Sequence, residues 1–264
     1  MKSRALLNLG AVVILLAGVG LLVYSQFDRP LASKAIPLTG LQADSISQIR
    51  VEYRDGEIIT LHKDSHGWRI SQPISVPAND ERVAQLLRLT KAGRQDVQDE
   101  DVAGVQSGTP YFRINFNELE MSFGDAQPVG GRHYVSMGKA VYSISDRDYQ
   151  NAKVALADLV SPLLLPPGFL PVQIIASGMT MGRGDPGWPV LVDEWRRARA
   201  FRVEGWSADT KPMGEIIVWL EPAAEAHFEI IAREPDLILV RRDIGMQYRL
   251  LGDQAKRLLP SFVP

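Results

Sequence analysis

The pattern of hydrophobic positions changes character after the first 24 residues. Residues 5–24 are apolar throughout, apart from Asn8 and glycines. A run of about 20 apolar residues is long enough for a helix to cross the hydrocarbon layer of a bilayer. Lys2 and Arg4 precede the run, and this charge bias favours a cytoplasmic amino terminus. We therefore expect a membrane anchor, with everything after Gln26 on the outer side.

An uncleaved anchor competes here with a cleaved secretory signal peptide. A signal peptide has a shorter apolar core, about 7–15 residues, followed by small residues at the cleavage site. Residues 32–35, Ala-Ser-Lys-Ala, match that site poorly, and the chain has no cysteine that could carry a lipid. We favour the uncleaved anchor. The lack of cysteine also predicts a body without disulfides, stabilised by packing alone.

Beyond residue 40 the apolar positions recur mostly with a period of two, which predicts β-strands. Residues 46–61 form a predicted hairpin with its turn at Asp55-Gly56, and residues 111–143 a predicted antiparallel meander. Stripes of helical spacing follow Asn79 and Asp146, which are both typical helix-capping residues. The first half therefore predicts a sheet packed with two helices.

The second half repeats this order, and prolines separate the two halves. We predict an α+β fold, in which an amino-terminal transmembrane helix precedes two similar lobes. Each lobe is a mostly antiparallel β-sheet or meander packed with one or two helices. The predicted segments are a cytoplasmic end and anchor (1–26), a stalk (27–40), a first lobe (41–161), a proline-rich linker (162–171) and a second lobe (172–264).

A set of residues in the body resembles a known family. They include Gly67-Trp68 followed by Pro73, the stripe beginning at Val83, Tyr134-Val135 and Val141-Tyr142. This run resembles the bacterial domain of unknown function 4340 family, whose members are often single-span envelope proteins. The resemblance implies partners among ABC-transporter components of the gliding-motility auxiliary type, and it brings no catalytic residues.

Two glycine–tryptophan pairs are interpreted as structural motifs. Gly67-Trp68 and Gly187-Trp188 each follow a predicted turn, and Pro73 ends the first of these segments. We expect both tryptophans to fill the core, with an interface anchor as the alternative.

Two matches to catalytic motifs lack the structure that the chemistry requires. Ser136 and Lys139 have the Ser-x-x-Lys spacing of penicillin-recognising enzymes, in which a helical turn brings the lysine beside the serine. Here the motif lies between two predicted strands. Residues 182–187 match the glycine pattern of dinucleotide-binding loops, but Asp185-Pro186 predicts a turn instead of a helix.

The histidines form no convincing ligand set. His62, Asp64 and His66 surround one predicted turn and could in principle bind a metal, but we interpret them as solvated turn residues. His133 and His227 lie in predicted strands. The sequence therefore predicts no catalytic residue, no metal and no cofactor.

The densest basic cluster comprises Arg196, Arg197, Arg199 and Arg202. Its guanidinium groups are candidates for contact with a partner or an anion such as a phosphate headgroup. Acidic neighbours favour the alternative of an exposed face with internal ion pairs. A net charge of -2 argues against nucleic acid as a partner.

These observations predict a non-enzymatic, single-pass accessory subunit of a bacterial inner membrane. Its periplasmic body would bind an integral membrane protein, such as a permease or auxiliary subunit of an ABC-type transport or envelope-assembly complex. Two alternatives remain open. One is an envelope hydrolase acting on lipid or cell-wall material, with carboxylates such as Asp146 or Asp243 converging in three dimensions. The other is a ligand-binding sensor, which requires a cleft between the lobes near residues 162–171.

Overall fold

The computed structural model describes residues 36–97, 108–128, 130–176 and 178–259. The predicted membrane anchor at residues 5–24, and most of the predicted stalk, lie outside the described residues. Within the described part, no helix combines the length and the apolar character that crossing a bilayer requires.

The secondary structure is dominated by strands. Strands make up 47% of the structure and helices 20%, and all the strands lie in two antiparallel sheets. The predicted α+β fold with a leading membrane helix is therefore wrong for the described residues. The reason is that the helical stripes extend over only one to three turns, whereas nearly every alternating segment forms a strand.

The first sheet contains ten strands, and its neighbouring strands are antiparallel. In chain order they are β1 (Ile36–Pro37), β2 (Gln48–Tyr53), β3 (Ile58–Asp64), β4 (Gly67–Gln72), β5 (Val76–Pro77), β6 (Gly93–Asp96), β7 (Phe112–Phe116), β8 (Leu119–Ala126), β9 (Arg132–Met137) and β10 (Ala140–Ser145). Their spatial order is β1-β6-β10-β9-β8-β7-β2-β3-β4-β5.

The second sheet contains seven strands. They are β11 (Leu170–Ala176), β12 (Met179–Gly182), β13 (Arg202–Gly205), β14 (Gly214–Glu221), β15 (Ala224–Ala232), β16 (Asp236–Arg241) and β17 (Met246–Leu251). Their spatial order is β12-β11-β14-β15-β16-β17-β13.

The helices are short and connect these strands. They are α1 (Asp80–Leu87), α2 (Asp146–Ala152), α3 (Leu156–Leu159), α4 (Trp188–Arg197) and α5 (Gly252–Leu258), with single 3-10 turns at Ala43–Ser45 and Arg88–Lys91.

Both sheets follow one order of elements. A hairpin (β2–β3 or β11–β12) precedes a helix, a short strand (β6 or β13) and a four-stranded meander. The first meander strand pairs with the first hairpin strand, and the last pairs with the short strand. Strands β1, β4 and β5 have no counterpart in the second sheet.

The core follows directly from the alternation of side chains. Strand β7 buries Phe112, Ile114 and Phe116 on one face and leaves the polar residues between them more exposed. The largest fully buried side chain is Trp195 of α4, which contacts Phe228 of β15 at 5.9 Å between ring centroids. Buried residues of both sheets form one continuous cluster, so the two sheets share a core.

Several local predictions are confirmed. Strands β2 and β3 pair around the turn at Asp55-Gly56, where Gly56 has a φ of 95°. The side chain of Asn79 caps α1 by accepting a hydrogen bond from the amide of Arg82. Capping of the second helix differs, because Ser145 and not Asp146 is its N-cap.

Other boundaries differ from the predicted ones. The single helix predicted after Asp146 is two helices, α2 and α3, because Lys153 leaves the helical conformation. Residues 174–181 are divided between β11 and β12 by a turn. Residues 93–96, which lie outside every predicted strand, form strand β6.

Candidate binding groove between the two sheets

The proline-rich segment is fixed to both halves of the molecule by backbone hydrogen bonds. The amide of Ser161 donates to the carbonyl of Pro77 at 3.0 Å, which ties the segment to strand β5. On the other side, the carbonyl of Pro162 accepts from the amide of Ala200 at 2.8 Å. The segment is therefore a positioned part of the structure and not a loose tether.

A groove of about 710 Å³ lies where this segment meets the two sheets. Its walls are mainly apolar, and both halves of the chain contribute to them. The apolar lining residues are Trp68, Pro77, Ala78, Pro162, Leu163, Pro166, Pro167, Phe169 and Pro222. The volume falls in the range of about 300–1,000 Å³ that is typical of ligand-binding sites.

Charged side chains surround the groove. Arg199 of the second half forms an ion pair with Glu81 of α1 at 3.0 Å, and this pair bridges the two halves. Asp64, Asp80 and Arg69 are exposed and also line the groove. Among the described residues, neither Asp64 nor Asp80 forms an ion pair with a lysine or arginine.

Gly67, the first residue of β4, lies beside one of these carboxylates. Gly67 has a φ of 118°, a conformation that side chains rarely adopt. A Cβ added there would lie 3.5 Å from an oxygen of Asp80. A side chain at Gly67 would therefore contact the Asp80 carboxylate.

The two glycine–tryptophan pairs occupy different structures. Trp68 lies in strand β4, is only 8% exposed and lines the groove. Gly187 is the N-cap of α4 in a left-handed conformation, and Trp188 begins that helix in the core. Pro73 follows the end of β4, and it is not among the groove residues.

The arginine cluster is divided by its ion pairs. Arg197 pairs with Asp193 at 3.0 Å within α4, and Arg202 pairs with Glu204 at 3.5 Å along β13. Arg196 is exposed and has no ion pair within the described part of the chain. Of the four arginines, the structure brings only Arg199 to the groove.

The candidate catalytic residues do not come together. Ser136 and Lys139 lie on β9 and in the turn after it, beside a second cavity of about 610 Å³ with mixed polar and apolar walls. The carboxylate of Asp146 accepts from His133 Nε2 at 3.0 Å in the first sheet. Asp243 lies in the turn between β16 and β17, where Arg241 binds it at 2.5 Å.

The histidine turn is open to solvent. His66 Nδ1 lies 3.9 Å from Asp64 Oδ1, and both side chains are at least half exposed. Within residues 36–259, excluding the gaps in the description, no group of three or more histidine or acidic side chains is arranged to hold a metal ion.

Two tyrosines have raised pKa values. Burial raises the pKa of Tyr248 to about 12, and Tyr248 packs beside the linker residues 163–166. Burial also raises the pKa of Tyr53 to about 12, partly offset by a hydrogen bond to the backbone of Val154. Both hydroxyls therefore remain protonated at neutral pH.

The groove combines residues that are distant in the chain. Its acidic residues come from β3 and α1, and its proline wall from residues 162–167. The sequence signalled the proline wall, but no local pattern identified Asp64 or Asp80 as its neighbours.

Comparison with known proteins adds no relative, since no family model, no curated protein and no solved structure matches this chain. The resemblance to the domain of unknown function 4340 family stays a prediction.

Proposed function

We propose that this protein is a non-catalytic binding subunit, and that its groove receives an extended segment of a protein partner. The observation that carries the proposal is the positioned, mainly apolar groove to which both halves of the chain contribute. Such a groove needs little rearrangement to bind, and preformed sites lose less conformational entropy on binding than mobile ones.

The charges around the groove suggest the chemistry of the segment. Glu81 and Arg199 neutralise each other in their ion pair. Among the remaining groove residues, Asp64 and Asp80 carry carboxylates and only Arg69 carries a guanidinium. We therefore propose that the segment carries apolar side chains for the walls and a basic side chain for these carboxylates.

The partner's location follows from the sequence and not from the groove. If residues 5–24 anchor the chain in a bacterial inner membrane, an integral membrane protein such as an ABC permease subunit is a suitable partner. A reporter enzyme fused to the carboxyl end tests this placement. Activity of an externally active reporter supports it, and activity restricted to the cytoplasm contradicts it.

Site-specific photocrosslinking in native membranes tests the groove itself. A photoreactive amino acid at Phe169, in the groove wall, should form an adduct with one defined partner. The same amino acid at the exposed Trp219 of β14 should not. Adducts of equal yield from both positions would contradict the proposal.

Charge reversal tests the role of the carboxylates. We expect Asp80→Arg to reduce the adduct from position 169 at least several-fold, because it places a cation against the basic side chain. Glu225→Arg, a reversal at an exposed strand residue that does not line the groove, is the matched control and should leave the yield unchanged.

The size of the groove also favours a second candidate, a sensor for a small molecule. A small ligand that fits 710 Å³ should raise the melting temperature of the protein, and Phe169→Ala should weaken that effect. A thermal shift without any partner adduct would favour the sensor over the binding subunit.

A further inference from the structure

The second cavity, of about 610 Å³, lies against three neighbouring strands of the first sheet, β7, β8 and β9. Arg113 of β7 is exposed between the buried Phe112 and Ile114, so its position belongs to the face of the sheet opposite the core. Ser122 of β8 lies directly opposite Arg113, and Ser136 of β9 lies directly opposite Ser122. All three residues line the cavity. One guanidinium and two hydroxyls therefore form a row across its floor.

These donors have no hydrogen-bond partner within the described ranges of the chain. Arg113 has one ion pair there, with Glu120, and the 3.8 Å between Nε and Oε1 exceeds the length of a hydrogen bond. The side chains of Ser122 and Ser136 form no hydrogen bond among the same residues. Neither does the hydroxyl of Tyr134, which also lines the cavity although Tyr134 is only 7% exposed. Buried polar groups are normally hydrogen-bonded, so this set of donors indicates a site for an acceptor.

A glycine leaves room in the floor of the cavity. Gly124 lies on β8 two residues after Ser122 and lines the cavity. Its φ lies outside the left-handed region, so the backbone conformation does not require glycine here. A Cβ added at Gly124 would have no atom within 4 Å, apart from its chain neighbours. The absent side chain therefore corresponds to open space beside the row of donors.

The charges of the cavity are separated along the strands. Lys139, in the turn that follows Ser136, and Arg113, in the row itself, supply two cations at one end. Strand β8 runs antiparallel to β9, so Asp125, three residues after the row on β8, lies about 10 Å away in the other direction. The Asp125 carboxylate accepts a hydrogen bond from Tyr111 at 2.6 Å and has lone pairs for further donors. One end of the cavity therefore offers cations and donors, and the other offers an acceptor.

We propose that this cavity binds a phosphorylated polyol, with its phosphate at the row of donors and its hydroxyls towards Asp125. A guanidinium binds two phosphate oxygens at once, and the Lys139 ammonium adds a second positive charge. A volume of about 610 Å³ is typical of sites for organic ligands and leaves space for the polyol beside the phosphate. No residue lines both this cavity and the groove between the sheets, so the proposal is independent of the partner proposed for the groove.

Isothermal titration calorimetry of the full-length protein in detergent tests the ligand class. The probes are glycerol 3-phosphate, glucose 6-phosphate and inositol 1-phosphate, compared with the unphosphorylated polyols and with inorganic phosphate. At least one ester should bind ten-fold or more tightly than both its polyol and inorganic phosphate. Displacement of that ester by phosphatidylglycerol in the micelles would identify a lipid headgroup as the source, and no displacement a free polyol phosphate. Binding of none of the esters, or equally tight binding of inorganic phosphate, would overturn the proposal.

Removal of the guanidinium tests its contact with the phosphate. Arg113→Met should weaken binding of the best ester by about ten-fold or more, because a hydrogen bond between charged groups is lost. The matched control is Arg202→Met, since Arg202 is also an exposed strand arginine, pairs with Glu204 at 3.5 Å and does not line the cavity. The control should leave the affinity unchanged. Equal affinities for the two variants would contradict the proposed site.

Filling the cavity tests its location without changing a charge. Gly124→Leu places a side chain in the open space and should abolish binding of the ester, while thermal unfolding checks that the variant folds. Gly205→Leu on β13, where a Cβ also has no atom within 4 Å, is the control and should bind normally. The double variant Ser122→Ala, Ser136→Ala removes two hydroxyls without adding volume and should weaken binding several-fold. Undiminished binding by folded Gly124→Leu or by the double variant would overturn the proposal.

Discussion

The hydroxyl of Tyr53 connects strand β2 to the segment that leads into the groove wall. It donates a hydrogen bond to the carbonyl of Val154 and accepts one from the Val154 amide at 3.0 Å. Val154 is only 1% exposed, so water cannot readily replace the hydroxyl. Substitution Tyr53→Phe removes both hydrogen bonds but preserves the ring, which packs 5.7 Å from Phe112 between centroids.

The cost of this substitution follows from the groups it leaves unpaired. Each of the two lost hydrogen bonds is worth about 0.5–1.5 kcal/mol net, so together they contribute about 1–3 kcal/mol of stability. For a protein of this size, each kcal/mol lowers the melting temperature by about 2–4 °C. We therefore expect Tyr53→Phe to lower the melting temperature by roughly 2–12 °C.

Thermal unfolding followed by circular dichroism measures this change in the full-length protein. The matched control is Tyr248→Phe, since the Tyr248 hydroxyl has no hydrogen bond to another described residue although the ring is 3% exposed. The control should change stability by less than about 1 kcal/mol. Equal melting temperatures for Tyr53→Phe and the unaltered protein would refute the role assigned to the hydroxyl.

Two further predictions concern alkaline stability and backbone packing. Burial raises the pKa of Tyr248 to about 12, so the unfolded chain loses this proton at a lower pH than the folded protein does. The free energy of unfolding should therefore fall as the pH rises from 10 to 12. In urea titrations, Tyr248→Phe should reduce this decline by up to about 2 kcal/mol. A decline of the same size in both proteins would contradict this. A Cβ at Gly252 would lie 2.5 Å from the carbonyl oxygen of Pro235, so Gly252→Ala should destabilise the protein by about 1–3 kcal/mol. Gly40→Ala is the control and should not destabilise the protein, because nothing lies within 4 Å of a Cβ added there. Equal unfolding free energies for Gly252→Ala and the unaltered protein would contradict the prediction, because they would show that the start of α5 moves freely to accommodate the Cβ.

The strands could be predicted because their signal is local. In β7 and β8, side chains alternate between the core and the solvent, so the period of two is visible in the sequence itself. Strand β6 was missed for the opposite reason. Its four residues, Gly93–Asp96, are mostly polar, and they form a strand because β1 and β10 pair with them.

The fold class was wrong because helix length depends on distant contacts. The stripe from Tyr149 to Leu159 has helical spacing, which predicts one helix. In the structure the chain leaves the helix at Lys153, and Val154 binds the hydroxyl of Tyr53, about 100 residues earlier. The residues of the stripe alone do not indicate this contact with Tyr53. Tertiary contacts of this kind shortened the helices and left a mainly β structure.

The sequence indicated only the proline wall of the groove and not the residues opposite it, for a related physical reason. Proline has no backbone N–H, so a segment rich in proline cannot extend a sheet as a regular strand. The carbonyl of Pro162 instead accepts a hydrogen bond from the amide of Ala200, and the neighbouring proline rings form one wall of the groove. The same residues that mark the boundary between the halves therefore also create an apolar surface there. The residues opposite that surface are brought there by tertiary packing, because Glu81 and Arg199 form their ion pair across a separation of 118 residues in the chain.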